Sequence, residues 1–247
     1  MKKREIAEGM KKQPYFASVA AASKQDVGTR DMGELYPFLI CGGSNTERYY
    51  FTHINEKTSY KFSIRPKYFG DESNYTEAFP KRIKEILGTN KDARVFCVFD
   101  WDTIFGDEVK LNKHKAFEKQ FQTEISNGTV TVCPSMPSIE YWFLLHFVNN
   151  TQLFKSYGKV AGVLAPYLKP CFPNPTKPFK KLLKKEEFLK DSTWVEKLCD
   201  GGKLSAAIER AEKNINAAIT SGDLENQSYS YVYKLSLIHI SEPTRLR

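Results

Sequence analysis

The run VFCVF at residues 95–99 is the segment that most constrains the fold of this chain. Five consecutive apolar residues bounded by charged ones are typical of a strand buried on both faces, as in a parallel sheet covered by helices. The run ends at two carboxylates, Asp100 and Asp102, spaced one residue apart. Ligands of open α/β sheets bind at the carboxyl ends of the strands, so we expect these two acids to lie at a functional site.

The spacing of the two acids indicates what this site could bind. Residues at positions i and i+2 point the same way on an extended chain, and close carboxylates repel each other unless a cation lies between them. The spacing therefore favours a Mg²⁺ site that includes Asp100 and Asp102. The alternative is a solvated turn that simply follows a strand.

Apolar runs alternate with helical stretches from residue 36 to residue 148, a pattern typical of a wound α/β sheet. The predicted strands are 36–41, 60–65, 95–100 and 129–133, and the predicted helices are 46–55, 75–87, 110–126 and 139–148. Trp142 and His146 lie four residues apart in the last of these helices and are expected to belong to the core. The predicted fold class is therefore α/β, with a mostly parallel sheet flanked by helices.

The regions on either side of this core differ from it in composition. Residues 1–33 predict a basic and polar extension, which precedes a core at residues 34–150. Residues 151–235 are basic and rich in proline, and predict a helical C-terminal region. Two helices are expected in this region, at 180–189 and 203–220. Residues 236–247 look like a translated sequencing adapter, which predicts a non-native tail and a longer natural chain.

The formal net charge of +8 favours a polyanionic partner, because lysines that neutralise phosphates gain free energy from counterion release. The lysines between residues 169 and 190 are the predicted nucleic-acid-binding residues. They are Lys177, Lys180, Lys181, Lys184 and Lys185. For each of them the alternative is a solvated helix face that keeps the protein in solution.

The sequence also argues against several other classes of protein. No run of 18 apolar residues occurs, and the basic N-terminus is not followed by an apolar segment, so neither a membrane span nor a secretory signal is expected. The five cysteines include no C-x-x-C pair that would indicate a zinc site or a redox motif. The predicted location is the cytoplasm, and assembly into a homo-oligomer is left open.

Three segments at the predicted strand ends resemble the three signatures of the RloB-like family. They are GGSNTERYYF at 42–51, VFDWD at 98–102 and PSMPSIEYWFLLHF at 134–147. The family signatures are a strand ending in an EGxxTExxYF loop, a strand ending in DxD, and an NPxxExWxLLHF helix. The resemblance covers roughly residues 38–147, and a weaker similarity to the family occurs at residues 226–235.

This resemblance implies a Toprim fold, which is Rossmann-like, and a site where acids hold Mg²⁺ or Mn²⁺ while phosphodiester bonds of DNA or RNA are cut. Glu47, Asp100 and Asp102 match the metal-binding acids of the family. Glu140 matches the glutamate of the third signature and joins them as a catalytic residue. RloB-like proteins are similar to components of phage-defence and abortive-infection loci, which implies an anti-phage effector with an ATPase as its partner.

One position departs from the family pattern. The first glutamate of the EGxxTExxYF signature falls on Gly42, so the usual leading acid is absent and Glu47 is expected to take over its role. Restoring an acid by Gly42→Glu is expected to strengthen metal binding, provided that Gly42 does not need a positive φ. Without the family match, Glu47 and Glu140 would be interpreted as carboxylates that complement the helix dipole.

The sequence is compatible with three functions. The leading hypothesis is a metal-dependent nuclease of the Toprim type. The second is a non-catalytic Toprim-like module that binds nucleic acid or a protein partner, and Gly42 favours it. The third is a phosphatase of the haloacid dehalogenase type, because DWDT at residues 100–103 is similar to the opening motif of that family. The chain lacks the Asp-Asp pair that such phosphatases carry on a later strand.

Overall fold

The computed structural model of the chain describes residues 36–43, 45–65, 75–172 and 177–236, without the side chains of residues 75–77. The predicted N-terminal extension lies outside the described residues, and so does the predicted tail from residue 237 onward. No helix in the described part of the chain is long and apolar enough to cross a membrane.

A five-stranded sheet lies at the centre of the fold. Its strands are β1 (Phe38–Cys41), β2 (Ser63–Arg65), β3 (Val95–Asp100), β4 (Val130–Met136) and β5 (Tyr229–Ser230). The strand order is β2-β1-β3-β4-β5. The first four strands pair in parallel, and β5 pairs with β4 in the antiparallel direction.

Helices connect and flank these strands. They are α1 (Thr46–Lys57), α2 (Tyr75–Thr89), α3 (Glu108–Gln120), α4 (Gln122–Ser126), α5 (Ile139–Leu145), α6 (Tyr157–Leu168), α7 (Phe179–Leu182), α8 (Glu186–Leu189), α9 (Thr193–Cys199) and α10 (Lys203–Ser221). A mostly parallel sheet flanked by helices is a Rossmann-like arrangement, and the predicted fold class is confirmed.

The central strands are apolar because both of their faces are covered. Val95, Cys97 and Phe99 of β3 belong to one buried cluster with Phe79 and Ile83 of α2. Burying one such large apolar side chain stabilises a fold by roughly 1.5–3 kcal/mol. The alternation of strand and helix therefore has a direct cause, since each run of this kind needs a helix on each side.

Helix α5 is buried along its whole length. The indole N–H of Trp142 donates to the hydroxyl of Tyr50 at 2.8 Å, and Nδ1 of His146 is 2.7 Å from the carbonyl oxygen of Leu198. Both Trp142 and His146 are almost completely buried, so their prediction as core residues is confirmed. These contacts join α5 to α1 and the residue after α5 to α9.

The predicted strand 129–133 is longer in the structure. Strand β4 continues to Met136, because Pro134 and Ser135 stay in register with Phe99 and Asp100 of β3. The sequence signal is weak here because proline and serine are uncommon inside strands.

Two predicted helices are wrong as single elements. The predicted helix 110–126 is divided into α3 and α4 at Phe121, whose side chain is buried. The predicted helix 180–189 is divided into α7 and α8 by residues 183–185, where Lys185 adopts an extended backbone with φ −97° and ψ 121°. The predicted helical region 151–235 also contains α6, with Pro166 inside it, in addition to the two helices expected there.

Candidate functional site

Three acids lie at the carboxyl ends of three neighbouring parallel strands. Asp100 is the last residue of β3, Glu47 lies in the first turn of α1 after β1, and Glu140 lies in the first turn of α5 after β4. Glu47 is 4% exposed and Glu140 is 0% exposed. Glu47, Asp100 and Glu140 are called the acid cluster below.

The three carboxylates are close enough to influence one another. Burial raises the pKa of Asp100 well above its usual range, and the charges of Glu47 and Glu140 raise it further. Burial also raises the pKa of Glu47, and the charge of Glu140 acts in the same direction. Like charges that face each other in a poorly solvated site are typical of functional sites.

Hydrogen bonds hold two members of the acid cluster in place. Oδ1 of Asp100 accepts the backbone N–H of Ile139 at 2.8 Å, which satisfies a donor at the start of α5. The hydroxyl of Ser138 donates to Oε2 of Glu140 at 2.6 Å and makes no capping bond to the helix backbone. Asp100 therefore supports the helix that carries Glu140.

Asp102 lies beside the acid cluster but not on the strand. The chain turns into a 3-10 helix at Trp101–Thr103, so the extended geometry expected for Asp100 and Asp102 is wrong at Asp102. Burial raises the pKa of Asp102 and the charge of Glu140 adds to this, while the backbone N–H of Tyr157 acts to lower it. Asp102 is only partly buried and remains in contact with solvent.

Lys184, which the sequence assigns to the nucleic-acid-binding surface, reaches the acid cluster. Its Nζ donates to Oε1 of Glu140 at 2.9 Å and lies 4.3 Å from the centre of the Tyr157 ring. Burial alone would lower the pKa of Lys184, but the carboxylates of Glu140 and Asp100 outweigh burial and raise it. The side chain of Lys184 is therefore protonated, and it brings a positive charge to the cluster.

The break between α7 and α8 brings Lys184 to this position. The hydroxyl of Thr46 in α1 donates to the carbonyl of Leu183 at 3.1 Å. On the other side, the hydroxyl of Tyr157 donates to the carbonyl of Lys180. The turn that carries Lys184 is thus held by a residue next to Glu47, and α7 before it is held by a residue of α6.

A comparison with protein families covers the part of the chain that contains this site. The family model described as RloB-like protein matches residues 38–236, most of the chain. This chain belongs to the RloB-like family. The match includes the acid cluster and also Lys184, far beyond the segments that carry the resemblance in the sequence. No curated protein and no solved structure matches the chain.

In this RloB-like protein, Gly42 is required by packing. A Cβ atom at position 42 would lie 2.7 Å from Cβ of Phe99 and 3.2 Å from the carbonyl oxygen of Val98. The backbone N–H of Gly42 donates to the same carbonyl at 2.7 Å. The expectation that Gly42→Glu would restore an acid is therefore wrong, because the side chain has no room, although φ at Gly42 is not positive.

Gly43 makes room for Glu47. A Cβ atom at position 43 would overlap Oε2 of Glu47, so the carboxylate rests directly on the glycine. The backbone N–H of Gly43 also favours the charged form of Glu47 and acts against the rise of its pKa. The two glycines that follow β1 therefore have different roles.

The other predicted lysines stay at the surface. Lys177, Lys180 and Lys181 are exposed, and Lys185 forms an ion pair with Glu187 at 3.0 Å. The neighbouring Lys185 lowers the pKa of Lys177, and the charge of Lys181 acts in the same direction. Lys177, Lys180, Lys181 and Lys185 are called the basic surface below.

The donor chemistry of the acid cluster fits a hard divalent cation, since carboxylate oxygens are the ligands that Mg²⁺ prefers. The present arrangement of side chains does not enclose one: in residues that the structure describes, no three His, Cys, Asp or Glu side chains are grouped to hold a metal ion. Oε1 of Glu140 is engaged by Lys184 instead. The chemistry therefore fits a metal, while the arrangement would have to change around Glu140.

Sequence reasoning misses three residues of this site. Ser138 and Gly43 act on the carboxylates of Glu140 and Glu47, and Tyr157 lies under the ammonium of Lys184. Ser138 and Gly43 lie inside the family signatures, which could draw attention to them. Nothing in the local sequence around Tyr157 indicates a site.

Proposed function

We propose that this RloB-like protein is a metal-dependent nuclease of the Toprim type that cleaves phosphodiester bonds of DNA or RNA. The observation that carries the proposal is the meeting of Glu47, Asp100 and Glu140 at the ends of three adjacent parallel strands. Holding like charges together opposes folding, so a functional role explains the cluster better than a structural one does. The basic surface supports a polyanionic substrate.

Each residue has a distinct role in this proposal. The acid cluster, together with Asp102, would hold Mg²⁺ or Mn²⁺. When bound, such an ion lowers the pKa of a water molecule and relieves charge on the phosphate. Ser138 orients Glu140, and the N–H of Ile139 orients Asp100. The basic surface would hold the nucleic-acid backbone.

Membership of the RloB-like family supports a biological setting for this activity. An effector of anti-phage defence, controlled in the cytoplasm by a partner ATPase, would need a nuclease that is inactive until infection. This part of the proposal depends on the family resemblance and not on any contact in the structure.

A non-catalytic module that binds nucleic acid or a protein partner is the second candidate. It is favoured by Gly42, where packing against Phe99 leaves no room for the usual acid. It is also favoured by the ion pair between Lys184 and Glu140, which neutralises part of the cluster without any metal.

The decisive experiment incubates purified protein with Mg²⁺ or Mn²⁺ and with single- and double-stranded DNA and RNA. We expect cleavage that EDTA stops and that Asp100→Asn abolishes, because Asn keeps an oxygen that can accept the N–H of Ile139 but removes the charge. The control is Asp107→Asn, which changes a solvent-accessible acid at the start of α3.

The other outcomes separate the alternatives. Tight binding of nucleic acid without cleavage under any metal would reject the nuclease and favour the binding module. Hydrolysis of a small phosphate ester without cleavage of nucleic acid would favour the phosphatase. Equal losses of activity in Asp100→Asn and Asp107→Asn would remove Asp100 from the catalytic set.

A further inference from the structure

The side chain of Lys184 is bonded to the acid cluster in the structure. Its Nζ lies 2.9 Å from Oε1 of Glu140, and the charges of Asp100 and Glu47 also act on it. Thr46 holds the turn that carries it, and Tyr157 holds α7 just before that turn. A surface lysine that merely keeps the protein in solution would not be fixed in this way.

A divalent cation and the Lys184 ammonium would be attracted to the same carboxylates. Glu47, Asp100 and Glu140 can carry three negative charges, and Lys184 brings a positive charge to them. Opposite charges that come together in a poorly solvated site attract one another strongly. A bound divalent cation would add further positive charge, but Oε1 of Glu140 can face either that ion or the ammonium.

We propose that Lys184 is an internal competitor for the divalent cation, which holds Glu140 in the metal-free protein and releases it when the ion binds. This inference rests on the proposed metal-dependent function. Release needs no movement through the core, since 45% of the Lys184 side chain is exposed. The lysine is thus a positioning residue that sets how tightly the protein binds metal.

The competition predicts opposite effects for two substitutions. Lys184→Gln removes the charge, so Glu140 is free for the ion and metal affinity rises. Lys184→Arg keeps the charge and offers a planar fork that grips a carboxylate with two hydrogen bonds, so metal affinity falls. Lys190→Gln is the matched control, because it removes an ion pair of the same length, 2.9 Å, from the same part of the chain.

The experiment is calorimetric titration of the full chain with Mn²⁺. We expect Lys184→Gln to bind Mn²⁺ at least about tenfold more tightly than the unmodified protein, since a like charge near the ion is removed. Lys184→Arg should bind more weakly, and Lys190→Gln should match the unmodified protein. As a second readout, Mn²⁺ should raise the melting temperature of Lys184→Gln more than that of the unmodified protein.

The outcomes distinguish this inference from the proposed function. If the unmodified protein binds Mn²⁺ and Lys184→Gln binds it equally or less tightly, the competition is refuted and the metal site stands. If Lys184→Gln binds Mn²⁺ and the unmodified protein does not, the competition is supported, because the lysine then prevents metal binding altogether. If neither binds, both proposals are rejected. If Lys184→Gln does not fold, tighter binding by Lys184→Arg than by the unmodified protein refutes the competition, and weaker binding supports it.

Discussion

Gly42 and Gly43 are neighbours in the chain but have different structural roles. Gly42 lets β1 approach Phe99 of β3, while Gly43 lets the carboxylate of Glu47 rest on the backbone. The first contact concerns the fold and the second concerns the site. Substitution by alanine should therefore separate stability from function at two adjacent positions.

We predict that Gly42→Ala lowers the free energy of unfolding by about 1–3 kcal/mol, the usual cost of an extra methyl group in a packed core. Gly43→Ala should cost less, because the flexible end of Glu47 can move, but it should abolish metal binding and activity. Urea unfolding and metal titration measure the two effects. Gly88→Ala in α2 is the control for steric contact, because nothing lies within 4 Å of a Cβ there, and it should raise the free energy of unfolding slightly because alanine favours a helix. Equal stability losses at 42 and 43, with metal binding intact in Gly43→Ala, would contradict these roles.

The raised pKa of Asp100 predicts a dependence of stability on pH. A carboxyl group with a higher pKa in the folded state than in the unfolded state favours folding while it is protonated. This contribution is complete below the unfolded pKa of about 3.9 and is lost as the pH rises through the folded pKa. Asp100→Asn does not titrate, so it should gain stability relative to the unmodified protein as the pH rises.

Urea unfolding in EDTA, from about pH 4 to about pH 8, tests this prediction over the range where a raised carboxyl pKa acts. Lys184 stays charged over this range, because its pKa is raised above an already high value. A stability difference that is constant, or that grows toward low pH, would show that the pKa of Asp100 is not raised by folding. Asp107→Asn, at a solvent-accessible acid whose pKa is lowered by the N–H of Lys110, should show the opposite trend.

At the scale of elements, the turn at residues 183–185 shows where sequence reasoning reaches its limit. The segment is rich in lysine and leucine, residues that favour helices, so its composition predicts a continuous helix. The structure divides it at a turn where the hydroxyl of Thr46 donates to the carbonyl of Leu183, and these two residues are 137 positions apart in the chain. A contact of that range leaves no trace in local sequence, so the role of Lys184 could not be predicted.

Strand ends are easier to predict, because their signal is local. The run of β3 stops at Asp100 for a reason visible in the sequence, namely the change from apolar to charged residues. The positions of Glu47 and Glu140 follow from the strand–loop–helix pattern together with the family signatures. What the pattern cannot give is the distance between the three carboxylates, which depends on the order β1-β3-β4 and on their register.

At the scale of the whole molecule, the alternation of apolar runs and helices is sufficient to predict the α/β class. It is not sufficient to predict α6 and α9, which lie after residue 150. Pro166 interrupts the helical pattern of α6, and α9 is only 7 residues long. Helices of this region complete the site, since α6 carries Tyr157 and the α7–α8 turn carries Lys184. The site therefore includes residues of the C-terminal helices as well as residues at the strand ends of the sheet.

The net charge of +8 is a property of the whole chain, and its effect on binding can be separated from that of the basic surface. We predict that the triple substitution Lys177→Gln, Lys180→Gln and Lys181→Gln weakens nucleic-acid binding. It should also reduce the salt dependence of binding, by about 0.7–0.9 in the logarithmic slope for each phosphate that is no longer neutralised. The measurement is fluorescence anisotropy of a labelled oligonucleotide in EDTA at several salt concentrations.

A second triple substitution to glutamine, at Lys81, Lys84 and Lys91 of α2 and the turn after it, provides the control. It also lowers the net charge by three, from +8 to +5, but at exposed positions outside the basic surface. If binding depends on the basic surface, the control loses much less affinity and keeps its salt slope. If both triples lose affinity equally, overall charge and not this surface attracts the polyanion, because long-range attraction depends on the summed charge while phosphate contacts depend on position.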